Sequence, residues 1–224
     1  MIMSIPAEIA LKTLKGSWTL DKSVTDSSDS ILRLQGVSWL TRRAISVATQ
    51  TLHFNSSTIQ NEGGTQIPQL TMRQTLTGGI PGSTEERVMD WFERLRSNHV
   101  YGNILSKSKL VKGIVDGSGT LKPEIQVQSQ VKDEKAAAKI KEFLMSGSIY
   151  LSTANGKNEA ETSLKEYEDL YIHDFGRSEK AGWTAEQIWT FETINSQPYL
   201  TRRIAVVKGE EVELARLVYK FYSP

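Results

Sequence analysis

The chain has no cysteine among its 224 residues, which excludes both disulfide bonds and thiolate metal ligands. It also has little net charge, because 27 lysines and arginines stand against 26 aspartates and glutamates. Such a balance gives no overall field to attract nucleic acid or an anionic membrane. No apolar run approaches the roughly 20 residues of a membrane-spanning helix, and Lys12 interrupts the first apolar stretch. We therefore expect a cytoplasmic protein with no nucleic-acid partner and no stable membrane insertion.

Signatures of the common cofactor-dependent and hydrolytic enzymes are missing as well. The three histidines, His53, His99 and His173, do not have metal-ligand spacing. The glycines of "TGGIPGST" (77–84) lack the lysine and the helix start that a phosphate-binding loop requires. His173 stands beside Asp174, but adjacent residues of a strand point to opposite faces and form no direct pair. The sequence predicts no cofactor and no metal, and it leaves the catalytic residues unknown.

The hydrophobic rhythm of the chain changes once, near Thr49. Between Asp29 and Thr49 the apolar spacing fits two short amphipathic helices, and Gly36 can end the first in a left-handed conformation. After Thr49, alternating segments separated by short turns predict an antiparallel meander. The predicted strands are 51–57, 68–77, 85–97, 100–111, 186–194, 199–207 and 212–222.

The middle of the chain has a different composition. "VKDEKAAAKIKEFLMSG" (131–147) predicts a helix with Ile140, Phe143 and Leu144 on one side, and "VDGSGTLKPE" before it reads as a loop. The polar segment 153–163 has no apolar pattern. Because this region has too few apolar residues for its own core, we expect one barrel domain over 1–224 with an insertion at 113–180.

The predicted order of elements is one strand, two helices and a long antiparallel meander. In this order the chain resembles the fatty-acid-binding proteins of the calycin group. The resemblance is carried by Gly16-Ser17-Trp18, by "LQGVSWLTRRA" (34–44) and by the final strands from Glu186 to Tyr222. "GWTAEQIW" (182–189) is also similar to a set of fungal lipocalin-like proteins. The resemblance implies a mainly β fold: an up-and-down antiparallel β-barrel of about ten strands, with a helix-turn-helix cap over an internal cavity.

In the family this chain resembles, two arginines and a tyrosine hold a fatty-acid carboxylate. Arg216 matches the arginine of the last strand, but Val218 stands at the tyrosine position and Thr190 at the position of the earlier arginine. Tyr219 lies on the opposite face from Arg216 unless a bulge intervenes, and Arg203 on the neighbouring strand can substitute. We therefore predict that Arg216 orients a polar head group, with Arg203 or Tyr219 assisting.

Trp91 and Trp189 stand inside predicted strands and are candidates for the cavity wall, although a tryptophan in such a position is more often plain core. The expected partner is a small hydrophobic molecule: a lipid, fatty acid, terpenoid or polyketide. Three functions stay open. The protein binds such a molecule reversibly, or acts as a cofactor-independent cyclase or isomerase on a hydrophobic secondary-metabolite intermediate, or is a filled barrel that serves as an interaction module. The oligomeric state is not predicted.

Overall fold

The computed structural model describes residues 5–6, 9–147, 149 and 168–222, and antiparallel strands dominate it. The first half contains β1 (Gly16–Leu20), α1 (Asp29–Leu34), α2 (Trp39–Val47), β2 (Gln50–Gln60), β3 (Gln66–Leu76), β4 (Ser83–Val88), β5 (Arg94–Asn98) and β6 (Gly102–Val111). The second half contains β7 (Gly113–Val115), β8 (Leu121–Pro123), α3 (Glu134–Leu144), β9 (Tyr171–Ser178), β10 (Trp183–Ile194), β11 (Gln197–Lys208) and β12 (Glu211–Tyr222). A short 3-10 turn, Leu11–Thr13, precedes β1.

Ten strands form one sheet in the order β4-β3-β2-β1-β12-β11-β10-β9-β6-β5. The sheet curls into a barrel that is open at one seam, because its edges β4 and β5 are not hydrogen-bonded to each other. The chain between them crosses to β6, where the Trp91 amide donates to the Ser108 carbonyl oxygen at 2.9 Å. The predicted up-and-down barrel of about ten strands is therefore confirmed.

The two helices form where the apolar spacing predicted them. Gly36 ends α1 with a φ of 83°, a left-handed conformation that favours glycine. The Ser38 side chain caps α2 by accepting a hydrogen bond from the Thr41 amide at 3.2 Å. Helix α1 buries its apolar residues, whereas α2 buries none and exposes Trp39 and Leu40. The first helix thus belongs to the core and the second lies over it as a cover.

Apolar side chains on the inner face fill one end of the barrel. The buried residues Trp18, Leu52, Met72 and Leu200 meet there, and Leu14 from the chain before β1 closes that end. Each is close to fully buried, which for an aliphatic or aromatic side chain contributes about 1.5–3 kcal/mol. The other end, beneath α1 and α2, is left open for a cavity.

A second core lies outside the barrel, on the face that β9, β10 and β11 turn away from the interior. Helix α3 packs there through Ile140 and Leu144, as its sequence pattern predicted. Residues 124–131, here called the strap, run across the same face. Glu186 on β10 accepts hydrogen bonds from the backbone amides of Gln128 and Ser129 at 2.7–2.9 Å. The outer face of these strands is therefore buried almost as completely as the inner one.

Two regions differ from the sequence prediction. The predicted strand 85–97 is interrupted between β4 and β5, where Asp90 accepts hydrogen bonds from the Phe92 amide and from Arg94 and the chain turns. Within the expected insertion 113–180, β7 and β8 form a hairpin where a loop was predicted, and β9 joins the main sheet between β6 and β10. The segment 153–163 lies outside the described residues, and one domain with an insertion stays a prediction.

Candidate functional site

The barrel encloses a cavity of about 1180 Å³ at the end covered by α1 and α2. This volume is somewhat larger than that of a typical small-molecule pocket, which measures about 300–1,000 Å³. Its lining includes the apolar side chains of Leu20, Ile31, Leu32, Val37, Ile45, Leu76, Ile80, Ile104, Trp183, Ile204 and Leu217, and polar side chains line much of the rest. The interior therefore has room for a sizeable ligand, which argues against the alternative of a filled barrel acting as an interaction module.

Arg87 on β4 lies at the floor of the cavity and bridges the open seam. Its side chain is almost completely buried, and its Nε donates to Asp174 Oδ2 on β9 at 2.9 Å. Its Nη2 donates to Glu85 at 2.7 Å, and Trp189 Nε1 donates to the same Asp174 oxygen at 2.9 Å. Burial alone would raise the pKa of Asp174, but the Arg87 charge and these hydrogen bonds outweigh it and lower that pKa.

Arg202 on β11 is a second inward-facing guanidinium at the floor. Its Nε donates to Gln187 Oε1 at 2.7 Å, and its guanidinium lies 4.8 Å from the centre of the Trp189 ring. A cation over an indole face is attracted by the ring quadrupole. Arg202 is therefore held in place by the Gln187 amide, the Trp189 ring and a side-chain interaction with Tyr219, and it lines the cavity.

Two further donors line the cavity without a hydrogen bond or ion pair inside the described ranges. Arg96 faces inward from β5, and burial together with the nearby Arg87 charge lowers its pKa. Tyr101 follows β5 in the turn, packs edge-on to Trp183, and burial raises its pKa to about 12. Both side chains are half-buried, so a bound molecule can reach them. The described residues contain no group of His, Asp and Glu that could hold a metal ion.

Trp189 and Tyr219 lie inside the barrel, in the layer beneath the cavity floor. Their rings stack with centroids 6.2 Å apart, and both are buried. The Tyr219 hydroxyl donates to Gln50 Oε1 at 3.1 Å, and Gln50 lines the cavity. Of the five residues predicted for ligand binding, these two support the floor on which Arg202 rests.

Arg203 and Arg216 are brought together, but on the outer face of the barrel. They are register partners on β11 and β12, and no bulge shifts Tyr219 to their side. Arg203 is buried under the end of α3, where it donates to Glu192 Oε2 at 2.9 Å and to the Ser146 carbonyl oxygen. Arg216 lies 3.9 Å from the same Glu192 oxygen. The structure therefore does not place either arginine on the cavity.

Trp91 is also outside the cavity, because it belongs to the turn between β4 and β5 rather than to a strand. It has a φ of 63°, and its ring lies 4.6 Å from that of His173 on the outer face of β9. His173 itself contacts Glu186 at 2.7 Å, whereas Asp174 points inward. The prediction that His173 and Asp174 form no direct pair is confirmed.

The comparisons with known proteins give two curated relatives and no matching protein-family model. The chain is 24% identical over 222 residues to a pericyclase, pydY, from Acremonium sp., covering 99% of this chain and 98% of that protein. It is 24% identical over 219 residues to a probable pericyclase, scpY, from Mollisia scopiformis, covering 98% and 95%. The predicted likeness to fungal proteins is confirmed.

Solved structures with a similar outline include As-p18, an extracellular fatty acid binding protein, and the fluorescent protein UnaG. As-p18 matches with a TM-score of 0.47 and 11% identity, over 95% of this chain and 98% of its own. UnaG matches with a TM-score of 0.46 and 9% identity, over 95% and 99%. Because these scores lie below 0.5, the barrel assignment rests on the strand order described above. No helix in the described ranges is long and apolar enough to cross a membrane.

Proposed function

We propose that this protein binds a hydrophobic small molecule with a polar head in the barrel cavity and accelerates its pericyclic cyclisation. The observation that carries the proposal is a cavity of about 1180 Å³ whose lining combines apolar side chains with hydrogen-bond donors that the protein holds in place. Two relatives that match nearly the whole chain are described as pericyclases, which supports the same activity.

The chemistry of such a reaction asks little of the protein beyond shape and polarisation. A pericyclic cyclisation forms new σ bonds from π bonds within one molecule, so substrate and product are isomers and nothing is transferred. Holding a flexible chain in a near-attack conformer lowers the barrier, because the internal rotations that the reaction must freeze are already frozen on binding. The apolar side chains that line the cavity would impose that conformer on the chain of the ligand.

The donors on the floor would act on the head of the ligand. A carbonyl conjugated to the reacting π system becomes more electron-poor when it accepts a hydrogen bond, and the barrier falls. Arg202 suits this role, because Gln187 and Trp189 fix its guanidinium before any ligand arrives. A donor fixed in advance needs no reorganisation during the reaction, which is the main advantage of an enzyme site over water.

Reversible binding without chemistry is the second candidate. It is favoured by α2, which covers the cavity yet buries none of its residues, so the cover has little packing to lose when a ligand enters or leaves. For both candidates we propose a cytoplasmic location, a single barrel domain over 1–224 and a small hydrophobic molecule as partner.

The test that separates the candidates is conversion of the natural precursor. Disrupting the gene in the organism it comes from should make an uncyclised precursor accumulate, which is then isolated and incubated with purified protein. We expect an isomer of identical mass to form at least about 100-fold faster than without protein, equivalent to about 2.7 kcal/mol of barrier. A precursor that binds but leaves unchanged would support carriage, and no accumulation in the disrupted strain would contradict the cyclase proposal.

A further inference from the structure

The charged groups on the cavity floor do not balance one another. Arg87 is shared by two carboxylates, Glu85 and Asp174, so these three groups together carry one negative charge. Arg94 at the end of β5 is paired with Asp90. The remaining two inward-facing guanidinium groups, Arg96 and Arg202, are therefore balanced by one negative charge, and one positive charge is left over on the floor.

Arg96 is the one of these two that lacks a protein partner in the described part of the chain. Arg202 contacts the Gln187 amide, the Trp189 ring and Tyr219, whereas no hydrogen bond or ion pair between described residues involves the Arg96 side chain. Its strand position is fixed, because Arg96 is the register partner of Ile104, another cavity residue. Arg96 is half-buried without a direct ion pair among the described residues; the charges of Asp174 and Glu85 offset part of its cost of losing water, while the Arg87 charge adds to that cost.

We infer that Arg96 binds an acidic oxygen of the ligand, either a carboxylate or the enolate of a β-dicarbonyl, so that the ligand is an apolar acid. This inference rests on the proposed binding of a hydrophobic molecule in the cavity. A guanidinium matches both anions, because its N–H groups can donate two parallel hydrogen bonds to two oxygens of one plane. The site lies on β5, away from Arg216 on the outer face of β12.

Tyr101 is a neutral donor that lines the same cavity as Arg96. Its hydroxyl has no hydrogen-bond partner among the described residues, and its ring is fixed edge-on against Trp183. Because its pKa is raised to about 12, the phenol stays protonated at neutral pH and can donate without adding negative charge. The cavity therefore offers an acidic ligand both a charged donor, Arg96, and a neutral donor, Tyr101.

The test uses dansylaminoundecanoic acid and its methyl ester, which share one apolar chain and differ in the acidic oxygen. Affinities are measured by dansyl fluorescence at pH 7.5. We expect the wild type to bind the acid at least about tenfold more tightly than the ester, the effect of a hydrogen bond to a charged group. Arg96→Met should weaken the acid about tenfold or more and change the ester less than about threefold.

Two control variants separate a lost contact from a damaged fold. Arg73→Met removes the same charge from an exposed position on β3 and should leave both affinities unchanged. Arg96→Lys keeps the charge and should retain part of the preference for the acid. Because Arg96 has no partner in the described residues, we expect its variants to melt no lower than the wild type. Equal weakening of acid and ester by Arg96→Met would overturn the inference.

A third probe distinguishes the two kinds of anion. A 2-acyl cyclohexane-1,3-dione with a chain of similar length, which is an enolate at pH 7.5, competes with the dansyl acid. Stronger competition than by undecanoic acid identifies the enolate as the preferred head, and weaker competition identifies the carboxylate. If acid and ester bind equally to the wild type, the inference is wrong while binding in the cavity stands. If neither binds, the proposed function fails together with it.

Discussion

Replacing Arg87 with methionine tests whether the barrel seam is closed by a buried ion pair. Arg87 is the side chain that reaches from the edge strand β4 to Asp174 on β9, and both are buried. In Arg87→Met, Asp174 keeps its hydrogen bond from Trp189 but loses its counter-charge. A buried carboxylate without a counter-charge is costly in an apolar interior, so the variant should be much less stable.

The expected loss is about 3–5 kcal/mol, the usual effect of removing one member of a buried pair. For a chain of this size that corresponds to a fall in Tm of about 6–20 °C. The loss should depend on pH, because the pKa of Asp174 is lowered in the fold. Its stabilising effect is fully present above the ordinary carboxyl pKa of about 3.9 and disappears as the pH falls through the folded pKa. The gap between wild type and variant should therefore narrow below about pH 4.

Urea denaturation of four proteins measures this: the wild type, Arg87→Met, Asp174→Leu and the double variant. We expect the double variant to be more stable than the sum of the two single losses implies, because the Arg87–Asp174 interaction is lost in each single variant but only once in the double variant. Losses that simply add, or a loss under about 1 kcal/mol for Arg87→Met, would refute the idea that this pair closes the seam. The slope of the free energy of unfolding against urea concentration should be the same for all four proteins, which would show that each exposes the same surface on unfolding.

Four smaller changes test other parts of the account. Glu186→Gln should speed hydrogen exchange of the strap amides in mass spectrometry, because a neutral amide oxygen accepts their hydrogen bonds less strongly; unchanged exchange would contradict that role. Tyr219→Phe loses the hydrogen bond to Gln50 and should lower the free energy of unfolding by about 0.5–1.5 kcal/mol. Gly36→Ala should lower the free energy of unfolding, measured by urea denaturation, by about 1–2 kcal/mol, because a φ of 83° strains any residue with a Cβ. An unchanged free energy would contradict the left-handed conformation of residue 36. Arg216→Ala should change the affinity for dansylaminoundecanoic acid by less than about twofold relative to the wild type. A tenfold loss would show that Arg216 contributes to ligand binding.

The barrel and its two helices could be predicted because local patterns and long-range packing agree there. The spacing of Ile31, Leu32 and Leu34 predicts the helix that buries them, and Gly36 ends it as expected. The break between β4 and β5 could not be read in the same way. It depends on Asp90 bonding to Phe92 and Arg94, while the alternation of residues around it continues through the turn.

The inward face of the last strands could not be predicted, because both faces are buried. Arg203 shares its face with Thr201 and Tyr199, as expected, but that face lies under α3 and the cavity face belongs to Arg202. A strand covered on one side shows which residues are inside by their polarity. Here Val207 on one face and Val206 on the other are both buried. The sequence therefore does not reveal whether Arg202 or its neighbour Arg203 faces the cavity.

The most direct test of the central claim is native mass spectrometry of freshly purified protein, followed by extraction and chromatography of the bound molecule. We expect one apolar molecule bound per chain. After incubation with the precursor, we expect an isomer of the same mass with a different retention time. A protein that carries no small molecule and binds neither precursor nor product would contradict the claim that the cavity of about 1180 Å³ is a ligand-binding site.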